Sequence, residues 1–129
     1  MISQKDKNMF KNCYFTDEEL KCKHCNKNYI NDDFLALLCD IRKKANIPFI
    51  INSAYRCKEH NKAVGGANYS KHVKGLAVDI KYKDSVELYK IVKSILDFNT
   101  LNKSRILIYK TFVHFDFDLE TKESIIKLM

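Results

Sequence analysis

Leu76-Ala77-Val78-Asp79-Ile80 alternates apolar positions with small or polar ones, which predicts a strand that sends Leu76, Val78 and Ile80 into a core and turns Ala77 and Asp79 the other way. Phe112-Val113-His114-Phe115-Asp116-Phe117-Asp118 repeats the pattern, with Val113, Phe115 and Phe117 on one face and Phe112, His114, Asp116 and Asp118 on the other. Residues 105–109 read as a strand joined to it by a tight turn at Lys110-Thr111, and Phe49-Ile50-Ile51, opened by Pro48, reads as a short buried strand leading to Asn52 and Ser53. Helical periods occupy other stretches. Thr16-Asp17-Glu18-Glu19 has the form of a capping box, with Thr16 as N-cap and Glu19 three residues on. From Asp32 or Asp33 to Lys44, Phe34, Leu35, Leu37, Leu38 and Ile41 recur at helical spacing, with acids first and bases last. Residues 85–98 are expected as a helix burying Val86, Leu88, Tyr89, Val92, Ile95 and Leu96, residues 58–64 as a shorter one ended by Gly65-Gly66, and residues 121–129 as a terminal helix. Strands and helices do not alternate as βαβ units, so the expected class is α+β: one small domain with a mostly antiparallel sheet flanked by helices.

Composition narrows this picture. A chain of 129 residues, 46% hydrophobic and 12% aromatic, supports one core and not two. The net charge of +7 comes from lysines scattered from Lys5 to Lys127 rather than from one basic stripe, which fits a solvated surface; no specific nucleic-acid partner is expected. The first eight residues lack an apolar targeting segment and no run is long enough to span a membrane, so synthesis in the cytoplasm without membrane insertion is expected, as a monomer. Five cysteines, Cys13, Cys22, Cys25, Cys39 and Cys57, are an odd number and argue against a disulfide framework; Cys39 falls on an apolar helical face as a small hydrophobe. Cys22-Lys23-His24-Cys25 admits three readings: half of a structural zinc site with Cys13 or His24 in reach, a redox pair, or two cysteines in a surface turn.

The chemistry gathers around residues 70–80. His72 and Asp79 stand seven positions apart, and all three glycines of the chain, Gly65, Gly66 and Gly75, lie close to His72. A histidine and a displayed carboxylate so placed suggest two ligands of a metal. Catalytic zinc usually takes a third protein ligand, and His114, on a strand face with Asp116, is the candidate. The connection 54–74 is long for a compact domain, which points to function.

Ser53-Ala54-Tyr55-Arg56, then His60-Asn61-Lys62-Ala63-Val64-Gly65-Gly66, then Ser70-Lys71-His72 through Gly75-Leu76-Ala77-Val78-Asp79-Ile80, and finally Phe112-Val113-His114-Phe115-Asp116 resemble the zinc D-alanyl-D-alanine peptidases. Within that family the chain is most similar to the short members of phages and bacteria, in matching order from about Phe15 to Asp116. The resemblance implies a single zinc domain over residues 1–129, with the fold shared by these enzymes and hedgehog domains. It further implies Zn²⁺ on His72, Asp79 and His114 and hydrolysis of an amide bond in peptidoglycan stem peptides, at the cell wall after release. Arg56 would lie at the substrate, as anion stabiliser or carboxylate grip, with Ser70 and Tyr55 lining the same pocket. Many enzymes of the family carry a glutamate three residues before the last histidine and some relatives another histidine two before it; here those positions are Thr111 and Phe112. Asp116 is then the candidate catalytic base, or else a carboxylate that orients a ligand histidine, with Asp118 and His60 as alternatives. A non-enzymatic zinc module of the same fold is the competing reading.

Overall fold

The computed structural model describes residues 15–67, 70–98 and 103–129. Its elements are helix α1 (Asp17–Leu20), helix α2 (Asp32–Ala45), strand β1 (Ile50–Ser53), helix α3 (Lys58–Ala63), strand β2 (Ala77–Lys81), helix α4 (Ser85–Asp97), and strands β3 (Ser104–Ile108), β4 (Phe112–Phe117) and β5 (Ile125–Leu128). The sheet runs β1-β2-β4-β3-β5, with every pair antiparallel except β3 and β5. This is an α+β fold with a mostly antiparallel sheet, as the pattern predicts.

Local chemistry accounts for the helices. The Thr16 hydroxyl accepts from the Glu19 amide while the Glu19 carboxylate accepts from the Thr16 amide, so the capping box forms. Asn31 caps α2 through the Phe34 amide, Asp32 and Asp33 occupy its first turn, Arg42, Lys43 and Lys44 its last, and Asn46 closes it in the left-handed region. Phe34, Leu35, Leu38 and Ile41 of α2, with Ile91 and Ile95 of α4, pack a core with Val78, Ile80, Ile106, Val113 and Phe115 of the sheet. The Phe34 and Phe115 rings stack with centroids 5.5 Å apart. The opposite face of β2 and β4 thereby presents Asp79, His114 and Asp116, beside Ala77 and Phe112.

Three expectations are corrected here. Residues 125–128 form a strand, not a helix: β5 lies parallel beside β3, pairing Arg105 with Ile125 and Ile108 with Leu128. The free edge of β3 supplies the backbone partners, and the β-branched pair Ile125-Ile126 suits a strand. The buried side of α4 is also turned. Ile91 and Ile95 enter the core with Leu88 and Val92 packed against it, whereas Val86, Tyr89 and Leu96 are exposed. The helix carries two adjacent apolar stripes, and only one faces the sheet. Cys39 is buried, but it is disulfide-bonded rather than a free thiol, so the odd cysteine count did not exclude pairing. The expectations on Cys13 and on residues 1–14 lie outside the described residues.

Candidate metal centre

Register brings the site together. In the β2–β4 ladder Asp79 lies directly opposite His114, and Ala77 opposite Asp116; in the β3–β4 ladder Arg105 lies opposite Asp116. Directly opposed residues of an antiparallel pair point to the same face, so Asp79, His114, Asp116 and Arg105 are neighbours by construction. His72 arrives from the connection before β2. Gly75 enables that approach: it has φ +72°, and a Cβ there would stand 2.2 Å from the Tyr29 carbonyl oxygen. The Asn31 amide donates to the Gly75 carbonyl at 2.9 Å, and the Arg56 and Gly75 amides both donate to the His72 carbonyl, at 3.2 and 3.1 Å.

One ligand atom from each of His72, Asp79 and His114 lies within 4.8 Å of the other two. His72 Nε2 is 3.2 Å from Asp79 Oδ1, His114 Nδ1 is 2.9 Å from the same oxygen, and the two rings meet edge to face with centroids 5.1 Å apart. The outer nitrogens fix the proton positions. His72 Nδ1 lies 2.7 Å from the Ala54 carbonyl oxygen, which can only accept, so Nδ1 carries the proton and Nε2 presents its lone pair to Asp79. His114 Nε2 lies 2.7 Å from Asp116 Oδ2 and donates to it. A neutral His114 would therefore set a lone pair of Nδ1 against a carboxylate oxygen, so a cation, proton or metal, belongs between them. Three deprotonated ligand atoms of imidazole and carboxylate type at this spacing fit a divalent metal such as zinc.

The electrostatics agree. Burial opposes the charge on Asp79, yet its contacts with the His114 and His72 imidazoles, where a proton or a metal would sit, hold its carboxyl far below the usual range. Burial likewise opposes charge on His114, and its contacts with Asp116 and Asp79 raise its pKa nonetheless. Asp116 is wholly buried and ionised, lowered by His114 and Arg105 against the cost of desolvation.

Asp116 is not placed to be the base. Its Oδ2 takes His114 Nε2 and, at 2.8 Å, Arg105 Nη2, while Arg105 Nε reaches both its oxygens. It thus lies on the ring nitrogen pointing away from Asp79 and His72, where it orients His114. Asp118 is engaged by Lys71 at 2.7 Å and Lys74 at 3.2 Å. Arg56 Nη2 is 3.2 Å from Asp79 Oδ2, with Nε donating to Ser53 Oγ at 2.9 Å and Nη1 to Asn61 Oδ1 at 3.3 Å. A cavity of about 490 Å³ opens over His72, Asp79 and His114, and Arg56, Ser70 and Arg105 are among its walls. Ser70 also accepts from the His72 amide at 3.2 Å, shaping the turn that delivers the ligand. Tyr55 is a correction: its ring packs edge-on against Tyr29, centroids 5.4 Å apart, and it is not among the cavity walls. His60 lies beside His24, rings stacked at 6.3 Å, and not in this cavity.

Arg105 is the residue that sequence reasoning missed. The alternation of residues 105–109 puts it on the face of Leu107 and Tyr109, both cavity walls, but its bond to Asp116 follows from the β3–β4 register. The family described as Peptidase M15 matches the chain over residues 13–116, while no curated protein matches it.

Proposed function

The chain belongs to the peptidase M15 family, whose members are metal-dependent peptidases, and on that premise we propose that it is a zinc metallopeptidase that hydrolyses an amide bond of peptidoglycan stem peptides. It does so as one zinc domain over residues 1–129, reaching the cell wall after release. The observation that carries this reading is the convergence of His72 Nε2, the Asp79 carboxylate and His114 Nδ1, with both outer ring nitrogens already committed to acceptors. His72, Asp79 and His114 would hold the ion. Zinc supplies a Lewis acid that polarises an amide carbonyl and acidifies water.

The chain's own residues do the rest. Ala54 and Asp116 hold the two imidazoles in the tautomers that ligation needs. Arg105 locks Asp116 in its ionised form. Arg56 uses three of its five N–H groups on Ser53, Asn61 and Asp79, so its guanidinium is fixed while two donors remain for a substrate. With Arg105 and Lys71 it gives the cavity a cationic wall, matched to a peptide carboxylate or to negative charge developing at the carbonyl. Ser70 offers its hydroxyl beside His72. Among the described residues no carboxylate other than Asp79 lines the cavity.

The test is mass spectrometry of defined stem peptides incubated with the zinc-loaded protein and with a His72→Ala control. Loss of a terminal alanine marks a D,D-carboxypeptidase and cleavage at an internal bond an endopeptidase, in either case abolished by the substitution. Peptides left intact by folded, zinc-replete protein would overturn the peptidase reading in favour of a zinc module that only binds.

A further inference from the structure

Apart from His72, Asp79 and His114, three thiols converge elsewhere. Cys22, Cys25 and Cys57 are free, and their sulfur atoms lie within 4.8 Å of one another. Cys22 is wholly buried and the other two are half-buried. The Cys22-X-X-Cys25 pair alone is half a site; the fold adds Cys57 from 35 positions further along the chain.

The local backbone is shaped for sulfur. The Cys22 amide donates to the Lys27 carbonyl at 2.8 Å and the Asn26 amide to the Cys22 carbonyl at 2.9 Å, with Asn26 at φ +61°, so the turn folds Cys25 back beside Cys22. The amides of His24 and Cys57 donate to Cys22 Sγ and that of His60 to Cys57 Sγ, each at 3.4 Å. N–H groups aimed at sulfur favour the thiolate, the form that binds metal. His24 Nδ1 stands 3.4 Å from Cys57 Sγ, beside the three sulfurs but outside the group that already converges. In tetrahedral zinc, Zn–S of about 2.3 Å and Zn–N of about 2.0 Å place two such ligands about 3.5 Å apart, and two sulfurs about 3.8 Å apart.

We propose that Cys22, Cys25, Cys57 and His24 form a second, structural zinc site of the Cys₃His type, with the three thiol protons released to solvent on binding. The ion ties the turn after α1 to the start of α3. That junction already carries the Tyr55 amide on the Leu20 carbonyl, at 3.2 Å, and Lys23 Nζ on the Asn52 carbonyl, at 2.7 Å. Cys57 also caps α3 and follows Arg56 directly, so the site fixes the base of the arginine that reaches Asp79.

The experiment uses the full chain, reduced and loaded with zinc or cobalt, and does not depend on catalysis. A His72→Ala/His114→Ala variant is expected to retain one tightly held metal per chain, and with cobalt to show the thiolate-to-metal charge-transfer bands and intense visible bands of a tetrahedral sulfur-rich site. Because no cysteine is removed, folding of that site is not in question. Cys57→Ser should abolish the charge-transfer bands, and His24→Ala should weaken cobalt binding at least tenfold. A folded double variant that binds no metal, or binds cobalt without sulfur bands, would overturn the proposal. An effect of His60→Ala where His24→Ala has none would overturn the assignment of the fourth ligand.

Discussion

Asp116 touches His114 on the nitrogen that faces away from Asp79, and Asp116→Asn should therefore act through ligand orientation rather than proton transfer. The expected outcome is zinc affinity at the His72 site lowered about 10- to 100-fold with the fold retained, measured by competition against a chelator in protein whose cysteine site is already filled. Asp118 provides a separate check on the electrostatics. Burial pushes its carboxyl up, but Lys71, the Glu120 amide and Lys74 draw it down to about 2. A carboxyl depressed on folding stabilises the protein above its unfolded value near 4, and that contribution is lost as pH falls towards 2. Urea midpoints of the wild type should therefore fall across that window more steeply than those of Asp118→Asn, which should cost about 1 to 2 kcal/mol at neutral pH. His72, Asp79 and His114 were legible as a set because alternation on two strands and a glycine-rich approach are local signals. The orienting role of Asp116 and the part of Arg105 were not fully legible. Both depend on which residue lies opposite which, and single-strand periodicity does not contain that register.

Gly75 makes a specific demand on the backbone, since an added methyl group would meet the Tyr29 carbonyl and the residue already lies at positive φ. Gly75→Ala is expected to cost roughly 1 to 3 kcal/mol in chemical denaturation, and to weaken zinc binding by displacing the turn that carries His72. A stability equal to the wild type would show that the turn yields freely. Helix α2 was readable from the sequence because its acids, apolar stripe and bases all agree. The strand over residues 125–128 was not, for its partner β3 lies some twenty residues earlier and the apolar run alone suits either state. The facing of α4 was missed for a related reason: two apolar stripes compete, and only packing on the sheet selects the one with Ile91 and Ile95.

At the scale of the whole molecule, one face of the sheet builds the core with α2 and α4 while the other presents a cationic cavity around a buried pair of histidines and a carboxylate. Among the described residues no helix is long and apolar enough to cross a membrane. The charge of +7, spread over lysines along the whole chain, is uninformative about fold; on the proposed function, raised salt is expected to weaken binding to isolated walls. The most direct measurement is stem-peptide hydrolysis followed as zinc is returned to metal-stripped protein, with wild type compared against His114→Ala. Cleavage is expected to be absent from the stripped protein, to reappear with zinc, and to stay at least a thousandfold lower in the variant. Wild-type rates in zinc-loaded His114→Ala, or no cleavage by zinc-loaded wild type, would contradict a hydrolytic centre at His72, Asp79 and His114.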